Sequence, residues 1–373
     1  MHIFQAGLLV LALCVSAPVF AASLLPGYGA DPEQTSVSGI SSGGYMASQF
    51  HVAYSTELTG VGIVAGGPYF CAGSDSTAGA DLNPFQPYVV TATTTCMNPC
   101  KWAFWPFVGW CESIMLPDGE ALAARAQAFA ADGLIDDFSG LVNDRVYLFS
   151  GGLDETVVTG VVNQAKGFYL AAGVPDSAIR FDLHPGAQHA FISDNINRGC
   201  DVHGAPFINN CDGYDQAREI LQHIYGNLKD NADVLTGTML AFDQSEFVPE
   251  SQFSISSLAE TAYAYVPNDC ETKSCRVHVA FHGCRQSAAE FDTNKVFFRD
   301  LSGYNEVADT NQIIVLYPQI RSRDELNVSP YNPKGCWDFW GYTGSGFYKK
   351  ESIQMTAVSS MIKRLLLPPE PVQ

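Results

Sequence analysis

Apolar positions along this chain follow two periodicities. Short runs rich in β-branched and aromatic residues recur at 61–65, 145–150, 179–183, 235–242, 262–266, 276–281 and 312–318. Their length and near-continuous hydrophobicity predict buried strands. Between them the spacing changes to three and four. Val161, Ala165, Phe168 and Ala172 precede Gly173, and Ala217, Ile220, Leu221 and Ile224 precede Gly226. Ile353, Ala357, Met361, Ile362 and Leu365 repeat the pattern near the C-terminus. Each set draws one apolar stripe along a helix, and two of them end at a glycine suited to a helix terminus. Strands alternating with helices predict an α/β sandwich around a mostly parallel sheet. No repeat or low-complexity tract divides it.

The longest apolar run, 3–22, breaks the pattern. It is interrupted by Gln5, Gly7, Ser16 and Pro18, no basic cluster follows it, and small residues gather at its end. It therefore reads as a signal peptide over 1–21 rather than a transmembrane anchor, although Lys and Arg are missing from its first residues. Leu13 before Cys14 argues against lipidation, which needs a small residue there. The expectation is a secreted or periplasmic protein with one catalytic domain over 22–373 and no separate substrate-binding domain. Cleavage leaves ten cysteines, an even number that in an exported chain suggests disulfides. Cys270 with Cys275, and Cys200 with Cys211, are close enough in sequence to form small loops. Cys96 and Cys100 lack a second ligand pair nearby, so no structural metal is expected, and nothing calls for a cofactor. With 47% hydrophobic residues in 373, the chain can bury a large core, and a net charge of −19 repels nucleic acid and anionic lipid. Neutral substrates remain.

Gly39-Ile40-Ser41-Ser42-Gly43 supplies the chemistry. A GxSxG segment lets a strand turn sharply into a helix and lifts the serine hydroxyl into the open at the helix N-terminus. Ser41 is the candidate nucleophile. It needs a histidine to take its proton and a carboxylate to orient that histidine. Asp154 follows the 145–150 strand, and His184 and His189 follow the 179–183 strand, in the order serine, aspartate, histidine. Asp154 has a competing reading as the cap of a helix beginning near Thr156, with Glu155 as the neighbouring carboxylate. His189, in a Gly- and Ala-containing loop, is favoured over His184, which sits at the strand end before Pro185.

A tetrahedral oxyanion needs two donors already in place. The N–H of Ser42 is one. The other usually comes from an HG-type loop after an earlier strand, and here His282-Gly283-Cys284 ends the 276–281 strand, late in the chain. A circular permutation reconciles the order: the strands from 235 to 318 form the first part of the sheet, and the C-terminal helix leads back to the elbow.

SGISSGGYMASQ around Ser41, SGGLDETV around Asp154, HPGAQHAF around His189, VAFHGCRQS around Cys284 and NPKGCWDFWGY around Trp337 together resemble the catalytic domain of polyhydroxybutyrate depolymerases of the circularly permuted α/β-hydrolase type. The resemblance spans essentially all of the mature chain. It implies Ser41, Asp154 and His189 as the triad and the amides of Ser42 and Cys284 as the oxyanion hole. It also implies a Cys284–Cys336 disulfide, Trp337 lining the ester cleft, and a polyester or its oligomers as substrate. Without a separate binding domain, amorphous polymer or soluble oligomers are the easier substrates. From sequence alone, a tryptophan such as Trp337 is more often core than cleft. Trp102, Phe104, Trp105, Phe107 and Trp110, between Cys100 and Cys111, read either as a polymer-contacting surface or as a disulfide-knit lobe. A feruloyl- or acetyl-type carbohydrate esterase with the same triad, and a non-catalytic polymer-binding protein, are the competing functions.

Overall fold

The structure, a computed structural model, describes residues 23–74, 88–101, 111, 114–288, 297–324 and 330–369. The expected leader and the aromatic cluster at 102–110 lie outside them.

The sheet has eight strands: β1 Thr35–Ile40, β2 Gly60–Val64, β3 Arg145–Gly151, β4 Ile179–His184, β7 Thr238–Asp243, β8 Thr261–Val266, β9 Arg276–Phe281 and β10 Ile313–Tyr317. Two short strands, β5 Phe191–Ile192 and β6 Ile208–Asn209, pair separately. The order is β4-β3-β2-β1-β9-β10-β8-β7. From β4 to β10 every pairing is parallel, while β8 runs antiparallel to both β10 and β7. β1, β2 and β10 are buried at every residue, as a sheet covered on both faces requires, and the edges β4 and β7 carry the exposed and polar positions.

Helices α1 Ser42–Ala53, α2 Gly119–Ala131, α3 Thr159–Ala171, α4 Gln216–Tyr225, α5 Tyr304–Asn311 and α6 Ile353–Leu366 flank the sheet. α1 is buried on all sides, whereas α4 presents Ala217, Ile220, Leu221 and Ile224 inward, as the spacing predicted. The predicted 235–242 strand begins later, at Thr238. The Gly237 N–H is instead tied to Asp309 Oδ1 at 3.0 Å, and Leu235 is exposed.

Both described ends meet beside the sheet. The N–H groups of Tyr28 and Ala30 each donate to Leu365 O at 3.1 Å, and Gly29 N–H donates to Leu367 O at 2.7 Å. The end of α6 thus leads spatially into the segment before β1. The half of the sheet containing β7 to β10 comes last in the chain, the permuted arrangement that the late His282-Gly283-Cys284 loop predicted.

β1 owes its place to polar side chains. Ser36 Oγ and Ser38 Oγ lie 2.7 Å from His278 Nδ1 and Nε2 respectively, and the hydroxyls of Tyr225 and Tyr304 complete the buried chain. Burial lowers His278 to about 3, so the imidazole is neutral and uses one nitrogen to donate and the other to accept. The ten cysteines of 22–373 pair as 71–96, 100–111, 200–211, 270–275 and 284–336.

Candidate active site

Ser41 joins β1 to α1 with φ 57° and ψ −122°, a conformation few non-glycine residues adopt. Its N–H donates to Val64 O at 2.9 Å, and its carbonyl accepts the Tyr45 N–H at 2.9 Å, so neighbours on both sides hold the turn. Glycines make the close approach possible. A Cβ at Gly43 would lie 2.3 Å from Phe281 O and 2.4 Å from His282 O. One at Gly39 would lie 2.3 Å from Gly43 O.

Asp154 and His189 stand on loops after β3 and β4 that are bonded to each other: Gly152 N–H donates to His184 O at 2.8 Å and Leu153 N–H to Ala187 O at 2.9 Å. Asp154 is buried and divides its carboxylate. Oδ2 lies 2.7 Å from His189 Nδ1, while Oδ1 accepts the N–H groups of Thr156 at 2.7 Å and Val157 at 2.9 Å. Asp154 therefore accepts the helix-start amides and pairs with His189 at once. His184 stays at the end of β4, with Nδ1 3.7 Å from Cys200 Sγ.

The loop after β9 is rigidly placed. His282 is buried and lowered to about 4 by desolvation. Its Nδ1 lies 2.7 Å from Gly283 O, and its Nε2 accepts the Ile320 N–H at 3.1 Å. Gln286 Oε1 accepts the Gly283 N–H at 2.6 Å, and Gln286 Nε2 donates to Pro206 O and Phe207 O. Among the described residues the N–H groups of Ser42 and Cys284 have no acceptor, which leaves two donors unspent beside Ser41.

Two cavities meet at Ser41. One, about 190 Å³, is lined by Ser41, Thr156, His189, Phe207, Arg285 and Lys334 among others. The second, about 210 Å³, is mainly apolar, with Tyr45, Val89, Val157, Tyr331, Phe339 and Trp340 on its walls. Ser41, Met97, Cys284 and Lys334 border both. Trp337 lines neither, contrary to the place expected of it. Its fully buried ring packs edge-on to Phe281 at 4.9 Å and beside His282, and its main-chain N–H donates to Ser42 Oγ at 3.3 Å. It supports the elbow from behind, and Phe339 and Trp340 of the same segment form the wall.

No family model matches the chain. A poly(3-hydroxybutyrate) depolymerase from Delftia acidovorans is 37% identical over 97% of this chain and 67% of its own length. A polyhydroxybutyrate depolymerase from Talaromyces funiculosus is 32% identical over 95% of this chain and 96% of its own. The chain belongs to the polyhydroxybutyrate depolymerase family. Two solved structures agree. A PHB depolymerase complexed with an R3HB trimer and a PHB depolymerase from Penicillium funiculosum match at 30% identity. They cover 92% of this chain and 99% of their own, with TM-scores of 0.76 and 0.75. Within this polyhydroxybutyrate depolymerase fold the sequence reading missed Gln286 and the hydroxyl of Ser42. A glutamine three residues after a loop glycine, and a second serine in an elbow, read as solvent-facing side chains until the fold buries them.

Proposed function

We propose that this protein hydrolyses the ester bonds of poly(3-hydroxybutyrate) or its oligomers through an acyl-enzyme on Ser41. The observation that carries the proposal is the convergence of Ser41 and the Asp154-paired His189 on one cavity, beside the free amides of Ser42 and Cys284. Ser41 Oγ attacks the ester carbonyl and passes its proton to His189 Nε2. Asp154 holds Nδ1–H and stabilises the imidazolium. The two amides receive the oxyanion, and His189 then protonates the departing alkoxide oxygen, which leaves as a hydroxyl. Water repeats the sequence to release the acid. The apolar cavity suits the methyl-bearing acyl arm. Export of the protein is part of the same reading, supported by its five disulfides. No helix among the described residues is long and apolar enough to cross a membrane.

The test pairs clearing of an amorphous polymer suspension with labelling by an organophosphonate, which needs an activated serine. Wild type should do both and Ser41→Ala neither. Labelling without clearing, accompanied by release of ferulate from a feruloylated glycan, would move the protein to the carbohydrate esterases.

A further inference from the structure

The chain has 39 acidic and 20 basic residues, yet among the described residues the two cavities at Ser41 are lined by Arg285 and Lys334 and by no Asp or Glu. Both cations are exposed, and neither side chain has a hydrogen-bond or ion-pair partner among the described residues. Their loops are fastened side by side: Arg285 N–H donates to Lys334 O at 2.8 Å, and the adjoining Cys284 is bonded to Cys336. Two cations without a partner among the described residues, fixed beside the nucleophile of a strongly anionic chain, make a local site for an anion.

Chemistry gives the direction in which that anion enters. In a polyester of 3-hydroxy acids, the part leaving as the alcohol runs toward the free carboxyl end, and the part left on the serine runs toward the hydroxyl end. The departing oxygen must lie beside the histidine that protonates it. Arg285 lines only the cavity that contains His189, and Lys334 stands where that cavity meets the apolar one, so the pair reaches the departing side.

We infer that Arg285 and Lys334 bind the terminal carboxylate of short 3-hydroxyalkanoate oligomers. In that role they direct cleavage to ester bonds near the carboxyl end. The inference rests on the esterase reading above and adds which chain end the site recognises.

The measurement is the ratio of kcat/KM for a 3-hydroxybutyrate trimer as the free acid to that for its methyl ester. A ratio does not depend on how much of a variant is folded. Wild type should favour the acid by about fivefold at low ionic strength, and screening by salt should shrink the preference. Arg285→Gln with Lys334→Gln should bring the ratio near one, and Arg285→Glu with Lys334→Glu should bring it below one. A wild-type ratio near one, or a preference that survives the double Gln variant, overturns the carboxylate site and leaves the esterase intact. Turnover of neither trimer by wild type overturns both.

Discussion

Asp154 shows how one side chain satisfies two readings that compete in the sequence. Its loop position suits a helix cap and a triad acid equally, and only the fold reveals that each oxygen takes one task. The two tasks separate by substitution. Asp154→Asn keeps a carbonyl oxygen for the Thr156 and Val157 amides but turns an N–H group toward His189, favouring the wrong tautomer. Its kcat on a nitrophenyl ester should fall about 10³- to 10⁴-fold with little change in Tm. Asp154→Ala loses the cap as well and should cost about a further 1 kcal/mol of stability in denaturant melts. His189→Ala should be as inactive as Ser41→Ala, and the double variant scarcely worse, since the members act as a unit. An inactive His184→Ala with an active His189→Ala would reverse the choice of base. The convergence of Asp154 and His189 near Ser41 was legible because a motif and two strand ends mark them. The place of Trp337 was not, because a tryptophan beside a cleft and one behind it share the same local sequence.

At the scale of elements, the His282-Gly283-Cys284 loop depends on contacts distant in sequence. Gln286 spans about eighty residues to reach Pro206 and Phe207, and the Cys284–Cys336 disulfide ties the loop to the Trp337 segment. Cys336→Ser should therefore lower kcat by about a hundredfold, the usual cost of losing or misplacing one oxyanion donor. KM should change much less. Unaltered kcat, measured on a folded sample, would show that the loop holds its shape without the bridge. Seven strands announce themselves as apolar runs, but β1 does not. Ser36 and Ser38 interrupt it, and they are buried only because His278 on the neighbouring strand meets both hydroxyls. Periodicity detects apolar burial and misses polar burial that a partner elsewhere makes possible.

For the whole molecule, two buried histidines add to its sensitivity to acid. His278 and His282 are held down at about 3 and about 4, against 6.5 when unfolded. Among the described residues His278 is faced by the hydroxyls of Ser36, Ser38 and Tyr304 and by no charged group. Above about pH 6.5 neither state binds protons at these sites, so the stabilisation is complete. As pH falls from there toward the folded values, the unfolded chain takes up protons that the folded chain refuses, and stability drops. Urea midpoints should fall steadily from pH 7 to 4, and His278→Gln, which can still donate and accept, should flatten part of that slope. A further consequence follows from the cysteine pairings. Three bridges lie before residue 226 and two after residue 237, and none joins the two parts. Between them runs a segment in which Val234 is 76% exposed, a natural point for a protease to nick. After one cut the polypeptide becomes two covalently independent fragments held along the β1–β9 seam. One fragment carries Ser41, Asp154 and His189, and the other carries the Cys284 amide. Nicked protein should run as two bands on a non-reducing denaturing gel while retaining activity. Each fragment purified alone should be inert, and mixing them should restore turnover by complementation.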